Sequence, residues 1–177
     1  MTAALALLAL IAWKPAQKIV YPVEYSDIVQ HWAQEYDVDP FLVFAVIETE
    51  SSFNVTAESS VGARGLMQMM EETFYWLAQK IAPDEELTFE DLFTPEISIR
   101  FGVCYLSMCL ERYTGDVDTA AAAYHSGWGT VDRLLADEQY SKNGVHLSKF
   151  PYRQMNHYVN KINKSYKKYT ELYATEK

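Results

Sequence analysis

Asp39-Pro40-Phe41-Leu42-Val43-Phe44-Ala45-Val46-Ile47-Glu48-Thr49-Glu50-Ser51-Ser52-Phe53-Asn54 is the stretch on which the fold turns. Asp39 is a helix-capping residue type, and Pro40 suits the first helical position, where its missing N–H is not needed. The pair opens a helix over Phe41–Glu50. From Phe41 to Ile47 that helix is wholly apolar, so Glu50 ends it as a carboxylate on a segment suited to burial. An acid so placed is hard to ionise, because burial disfavours its charge and the negative end of the helix dipole adds to the effect.

Outward from this helix the chain reads as helices and loops. Ser26 is placed to cap a helix through Tyr36, with Ile28, Val29, Trp32 and Ala33 at inward spacings. Asn54 to Arg64, rich in Ser, Gly and Ala, has no helical period and reads as a loop with room for a small hairpin, ending at Gly62 and Gly65. A third helix is expected from about Glu71 to Ile81, then an acidic connection, Pro83 to Leu92, with Thr88 and Asp91 in capping-box spacing. Thr94-Pro95 opens what reads as the longest core helix, through Tyr113. An Ala-rich helix over Thr119–Tyr124 implies close packing; Gly127 and Gly129 break it before a short helix, Thr130 to Ala136. Tyr140 to Lys149 is a loop, and a final helix spans about Pro151 to Tyr173. No alternating strand-length run and no internal repeat stand out. The fold class is all-α, with at most a small β-hairpin.

A chain of 177 residues supports one domain with a sizeable core. Its 49% hydrophobic and 14% aromatic content, with 13 Tyr, makes it globular rather than disordered. Aromatics in this number suit a carbohydrate site, since sugar rings offer flat C–H faces, although most are expected to fill the core. A net charge of −9 argues against nucleic acid as a partner. The C-terminal stretch runs the other way, with Arg153, Lys161, Lys164, Lys167 and Lys168 reading as a solvated helix face.

Residues 1–18 hold an apolar, Ala/Leu-rich run, Thr2 to Trp13, followed by Lys14, Pro15 and Lys18. The run is shorter than the ~20 residues of a membrane span, and it reads as an export signal or a signal-anchor, with a fused or mis-started terminus or an amphipathic lid on the core as the alternatives. Residues 19–177 form the single domain expected to follow.

Several chemistries drop out. His31, His125, His146 and His157 are scattered, with no metal-ligand spacing, so neither metal nor cofactor is expected. No phosphate-binding Gly-rich loop and no nucleophile elbow is present. Cys104 and Cys109 lie five apart on a helix, roughly 8.7 Å and about 140° around its axis, beyond disulfide reach. Both are expected to be buried free thiols. Carboxylates remain. Glu48 and Glu50 point about 200° apart and cannot serve one bond together. On these residues alone, Glu50 reads either as a general acid or as a structural or exposed glutamate.

A resemblance decides between those readings. Glu50-Ser51-Ser52-Phe53-Asn54 resembles the E-S-x-F-N motif of the soluble-type, goose-lysozyme-like lytic transglycosylases. Gly62-Ala63-Arg64-Gly65-Leu66-Met67-Gln68 is similar to their G-A-x-G-L-M-Q motif, and Ala122-Ala123-Tyr124-His125-Ser126-Gly127 to A-A-Y-N-A-G. Phe150-Pro151-Tyr152 with Tyr158-Val159 looks like their closing segment. Together these motifs cover about Val20 to Tyr173.

The resemblance implies a lysozyme-like helical domain with a substrate cleft, acting on peptidoglycan glycan strands in the cell envelope as a monomer, secreted or anchored through its N-terminus. Glu50 would be the sole general acid and base in a non-hydrolytic cleavage that leaves a 1,6-anhydro-muramoyl end. Ser51 and Tyr158 would orient Glu50 or the sugar, Met67 and Gln68 would line the cleft, Tyr124 would form its wall, and His125 would contact substrate. This suits the lack of a second motif-placed acid: an ordinary glycosidase needs a pair of carboxyls. Glu58, then Glu71 and Glu72, are the nearest candidates and read as solvated charges. The sequence departs from the family at His125 for Asn, Ser126 for Ala, Trp128 for a frequent Pro, and Glu71 for a frequent Pro. A hydrolase using Glu50 with water, and a catalytically idle wall-binding module, are the alternative readings.

Overall fold

The structure, a computed structural model, describes residues 15–174. Most of the apolar segment at residues 1–18 therefore lies outside the described residues. Residues 15–20 are helical, and no described helix is long and apolar enough to cross a membrane. Helices carry the fold: α1 (Ser26–Glu35), α2 (Pro40–Glu50), α3 (Glu71–Ile81), a 3-10 turn (Phe89–Phe93), α4 (Pro95–Arg112), α5 (Val117–Ser126), α6 (Trp128–Leu135) and α7 (Arg153–Tyr173).

Helix α2 is the axis of the core. Asp39 accepts a hydrogen bond from the Phe41 N–H at 2.8 Å, and Pro40 occupies the first turn, as the capping pattern requires. Six consecutive residues, Leu42 to Ile47, are buried, so the helix is enclosed on all sides. It packs most extensively on α7, whose Met155, Tyr158, Val159, Ile162, Tyr169 and Leu172 form the buried stripe. Phe44 stacks on Tyr169 at 5.5 Å, and the Tyr169 and Tyr173 hydroxyls donate to the carbonyls of Pro22 and Tyr21, tying the first described turn to the last helix. Ala120 to Ala123 of α5 are buried where α5 meets α4 and α7, which is the close approach their small side chains permit. A smaller apolar cluster of Met69, Phe74, Leu77, Phe89, Leu92, Phe101 and Cys104 seats α3 and the 3-10 turn on α4.

Several expectations change in detail. Ser26 does not cap α1: it is the first helical residue, preceded by Tyr25 in the left-handed region (φ 57), and no side chain caps that end. With 21 residues, α7 exceeds the 18 of α4. Instead of a hairpin, residues 51–70 hold two isolated antiparallel bridges, Glu58–Arg64 and Arg64–Met69. The connection after Pro83 contains a 3-10 turn whose capping box, Thr88 with Asp91, is formed. Cys104 and Cys109 are buried and free.

The loop between α2 and α3 is fixed by its glycine. Gly65 has φ +76, and a Cβ there would stand 2.1 Å from the Leu92 carbonyl oxygen and 2.6 Å from Ser98 Oγ. Gly102 plays a similar part on α4, where a Cβ would lie 2.4 Å from Met67 Sδ. The two glycines let the loop settle onto α4 and hold it against the end of α2.

Candidate active site

Glu50 is the last residue of α2 and is largely buried, with its carboxyl at the edge of a cavity of about 880 Å³. Tyr158, one turn into α7, donates its hydroxyl to Glu50 Oε1 at 2.7 Å. Burial pushes the Glu50 carboxyl up to about 7, against the opposing pull of the Tyr158 hydrogen bond and the Lys161 charge. Lys161 also donates to the Thr49 carbonyl at 3.1 Å, capping a carbonyl in the last turn of α2, where the helix dipole is negative. Burial drives the Tyr158 phenol well above its ordinary pKa, so it remains a donor at any working pH. Thus the acid is half protonated near neutrality and held in one orientation.

The other expected residues divide into two groups. His125 and Tyr124 border the cleft. The His125 ring lies parallel to Tyr158 at 4.5 Å, and partial loss of water lowers its pKa, which keeps the imidazole neutral at pH 7. Tyr124 donates to the Met67 carbonyl at 2.9 Å and lines a second hollow of about 240 Å³, together with Gln68, Tyr105 and His125. Ser51, Met67 and Gln68 hold the cleft's frame. The Ser51 hydroxyl donates to the Leu66 carbonyl at 2.8 Å and to the Ile47 carbonyl at 3.2 Å, pinning the loop to the helix end rather than reaching Glu50. The Met67 side chain is fully buried against Gly102 and does not line the cleft; its carbonyl, held by Tyr124, is what faces that side. Gln68 (φ 48) donates from its amide to the carbonyls of Ala57 and Gly65, both at 3.0 Å, while remaining at the wall of the second hollow.

No partner acid joins Glu50 in its cavity: the described residues lining it are otherwise Thr49, Val61, His125, Tyr158 and polar or basic side chains of α7. Glu58 is engaged with Arg64 at 3.1 Å, and Arg64 also pairs with Glu90. Glu71 and Glu72 are exposed on the first turn of α3, away from Glu50's cavity. Glu48, on the same helix, does not line that cavity. Among the described residues no group of acidic, His or Cys side chains could hold a metal ion. Another hollow, about 670 Å³, opens at the opposite end of α2 around Asp39, Pro40, Phe41 and Tyr173. Asp39 there is committed to the Phe41 N–H and the Tyr166 hydroxyl.

An aromatic wall went unrecognised as a unit in the sequence. From Tyr124 the rings of Tyr105, Trp128 and Trp76 follow at 5.3, 5.7 and 5.6 Å, with Tyr105 and Trp128 nearly parallel. This wall borders a shallow hollow of about 410 Å³ that shares Thr73 and Tyr105 with the Tyr124 hollow, and that in turn shares His125 with the Glu50 cavity. One groove therefore runs from Glu50 to Trp76. Thr73 and Trp76 share a face of α3 at i, i+3, but that Tyr105 of α4 lies beside them is not readable without knowing how the two helices cross.

Replacing Tyr158 with Phe tests the phenol's part. The hydrogen bond favours the carboxylate form, so its loss raises the Glu50 pKa further. The expected result is a fall in kcat of about tenfold, with the alkaline limb of the pH–rate profile moved upward. A downward or absent shift contradicts this account.

Fold and site together define a helical domain with an aromatic-walled groove and, at one end of it, a largely buried carboxylic acid of raised pKa. The chain belongs to the transglycosylase SLT domain family, whose model matches residues 27–146. It is 29% identical over 173 residues to the membrane-bound lytic murein transglycosylase C of Edwardsiella ictaluri, covering 84% of this chain and 47% of that protein. It is 40% identical over 115 residues to the transglycosylase of Enterobacteria phage PRD1, covering 59% of this chain and 39% of the phage protein. The chain thus spans about half the length, or less, of these curated relatives. Among solved structures it is similar to an inactive Glu-to-Gln mutant of the lytic transglycosylase Slt from Pseudomonas aeruginosa, with a TM-score of 0.76 and 26% identity, covering 87% of this chain and 25% of that one. The 70 kDa soluble lytic transglycosylase of Escherichia coli shares the fold, with a TM-score of 0.76 at 22% identity, over 85% of this chain and 25% of its own. The fold is the all-α, lysozyme-like one that the motifs implied.

Proposed function

We propose that the chain is a peptidoglycan lytic transglycosylase that cleaves the β-1,4 bond between N-acetylmuramic acid and N-acetylglucosamine, with Glu50 as its only general acid and base. The observation that carries this is the solitary, largely buried Glu50, held by Tyr158 and raised to about 7, with no second acid in its cavity. Protonated Glu50 gives its proton to the glycosidic oxygen as the C1–O bond breaks. The resulting carboxylate takes the proton of the muramoyl C6 hydroxyl as that oxygen bonds to C1. Glu50 is reprotonated, a 1,6-anhydro ring closes, and no water is consumed. One carboxyl suffices because the nucleophile belongs to the substrate, whereas a hydrolytic pair needs a second acid.

The relatives, a murein transglycosylase and a structure in which a Glu-to-Gln mutant is inactive, support this reading. A domain with this substrate works in the cell envelope, and residues 1–18 serve its export or anchoring, residues 19–177 being the catalytic domain. It acts as a monomer, without metal or cofactor.

Digestion of purified glycan strands by wild type and Glu50→Gln, followed by mass analysis, tests reaction and residue together. Wild type is expected to release an anhydro product one water lighter than the hydrolytic one, and the variant to release none. Hydrolytic masses, or equal lysis by the two proteins, sink the proposal.

The aromatic wall serves as the far glycan-binding surface, since sugar faces stack on aromatic rings. Trp128→Ala is expected to raise KM on long strands by about fivefold while leaving KM on short oligosaccharides near wild type. A uniform change on both substrates would place Trp128 in packing alone, where its indole N–H already meets Cys109 Sγ at 3.1 Å.

A further inference from the structure

Three of the seven large apolar side chains left exposed among the described residues, Val61, Met70 and Tyr75, meet at one place. They line a hollow of about 420 Å³ between the loop that joins α2 to α3, the start of α3 and the 3-10 turn. Its framework is fixed through Arg64. The guanidinium lies over the rings of Phe89 and Phe93 at 4.5 and 5.5 Å and pairs with Glu58 at 3.1 Å and Glu90 at 2.6 Å. The backbone bridges to Glu58 and Met69 hold the same residue from both sides. A surface so braced has little freedom left to lose when something binds to it.

The charge around this apolar centre is one-sided. Glu58, Glu71 and Glu90 line the hollow against the single base Arg64. Glu58 and Glu90 each give only Oε1 to Arg64, so Oε2 of both is without a hydrogen bond among the described residues. Glu71, on the first turn of α3, forms no ion pair there. The surrounding segment, Glu71 to Asp91, holds seven acids and one base, Lys80. The hollow shares Val61 with the Glu50 cavity and Met70 with the Tyr124 hollow, so it stands at the lip of the groove. It is a poor extension of that groove, because peptidoglycan carries carboxylates on its peptides and like charges repel. An apolar centre with a charged rim is the anatomy of a protein-binding patch, and the sign of the rim selects the partner.

We propose that this hollow docks a partner protein through a short segment of mixed apolar and cationic side chains. The apolar ones lie against Val61, Met70 and Tyr75, and the cationic ones meet Glu58, Glu71 and Glu90. The partner is thereby held beside the groove without entering it. The docking site stands whichever bond the groove cleaves.

Three end-capped, fluorescent synthetic peptides test this: one of Leu and Lys, one with Glu in place of Lys, and one with Ser in place of Leu. At low salt the Leu/Lys peptide is expected to bind the whole chain at least about tenfold more tightly than either counterpart, with affinity falling as salt is raised. Tyr75→Ser with Glu71→Gln should weaken that binding about tenfold while leaving kcat/KM on glycan strands unchanged, which also reports that the variant is folded. Amide chemical-shift mapping on wild type needs no variant: the shifts caused by the Leu/Lys peptide should gather at residues 58–64, 70–75 and 88–90. Equal affinity for the Leu/Lys and Ser/Lys peptides, or for the Leu/Lys and Leu/Glu peptides, overturns the proposal. So does binding that survives in the double variant, or shifts that gather in the Glu50 cavity or along the aromatic wall. Self-association of wild type in sedimentation, abolished by the double variant, places the basic α7 of a second copy in the hollow and overturns a separate partner.

Discussion

Glu50→Gln is expected to cost about 10⁴-fold in kcat, the upper end for loss of a general acid–base group, because the proposed mechanism gives one residue both proton transfers. The same change should make the protein more stable at neutral pH. Folding raises the Glu50 pKa from 4.5 to about 7. The native state therefore binds its proton more tightly than the unfolded chain does. Relative to an isosteric Gln, stability from this group is present in full below about 4.5, fades as pH rises, and is gone above about 7. The shift corresponds to roughly 3 kcal/mol across that window. Denaturant unfolding of both proteins at pH 4 and pH 8 checks the sign: the stability difference, variant minus wild type, must grow with pH. A wild-type rate that stays flat from pH 5 to pH 9 would contradict the assignment of Glu50 as the acid, since its protonated fraction falls through about 7.

The second large effect lies in the fold. Gly65→Ala is expected to destabilise by about 3 kcal/mol, from a side chain held at positive φ and from overlap with neighbours that have little room to move. Of the two nearest atoms, the Leu92 carbonyl is backbone of the 3-10 turn, and Ser98 Oγ accepts the Met67 N–H at 3.3 Å. Relief would have to come from the loop. It carries Leu66, whose carbonyl receives Ser51, and Gln68, which borders the cleft. The variant should therefore lose activity beyond its loss of stability, measurable as a lower kcat at a temperature where it is fully folded. A Gly62→Ala control, at φ +87 but with open space around the added carbon, should cost only the backbone term, about 1 kcal/mol.

The sequence disclosed most of this architecture because its strongest signals were local. Asp39-Pro40 before an apolar run names a helix start, and the unbroken run to Ile47 gives that helix its buried place. The elevated acid was likewise legible, since its cause, burial, is announced by the apolar run just before it. What stayed hidden depended on crossings between distant segments. Ser51 next to Glu50 reads as a catalytic neighbour, yet a C-cap position turns its hydroxyl toward Leu66. Met67 follows Leu66 in a cleft motif but points inward because α4 offers the gap at Gly102. Arg153 and Lys161 read as solvated charges, because the side of α7 they occupy becomes meaningful only when α7 lies beside the end of α2. Trp76, Tyr105 and Trp128, on three helices, could be joined into one wall only by the packing itself.

The Tyr158–Glu50 hydrogen bond joins residues 108 positions apart. Until the final helix docks, Glu50 stands in water as an ordinary carboxylate, ionised at neutral pH and without an orienting partner. The orientation of Glu50 thus depends on a contact that only the docked C-terminal helix supplies. On the proposed mechanism, a molecule clipped before α7 would keep the peptide bearing Glu50 and release no anhydro product, so the specific activity of a preparation would count the fraction of molecules whose C-terminal helix has docked.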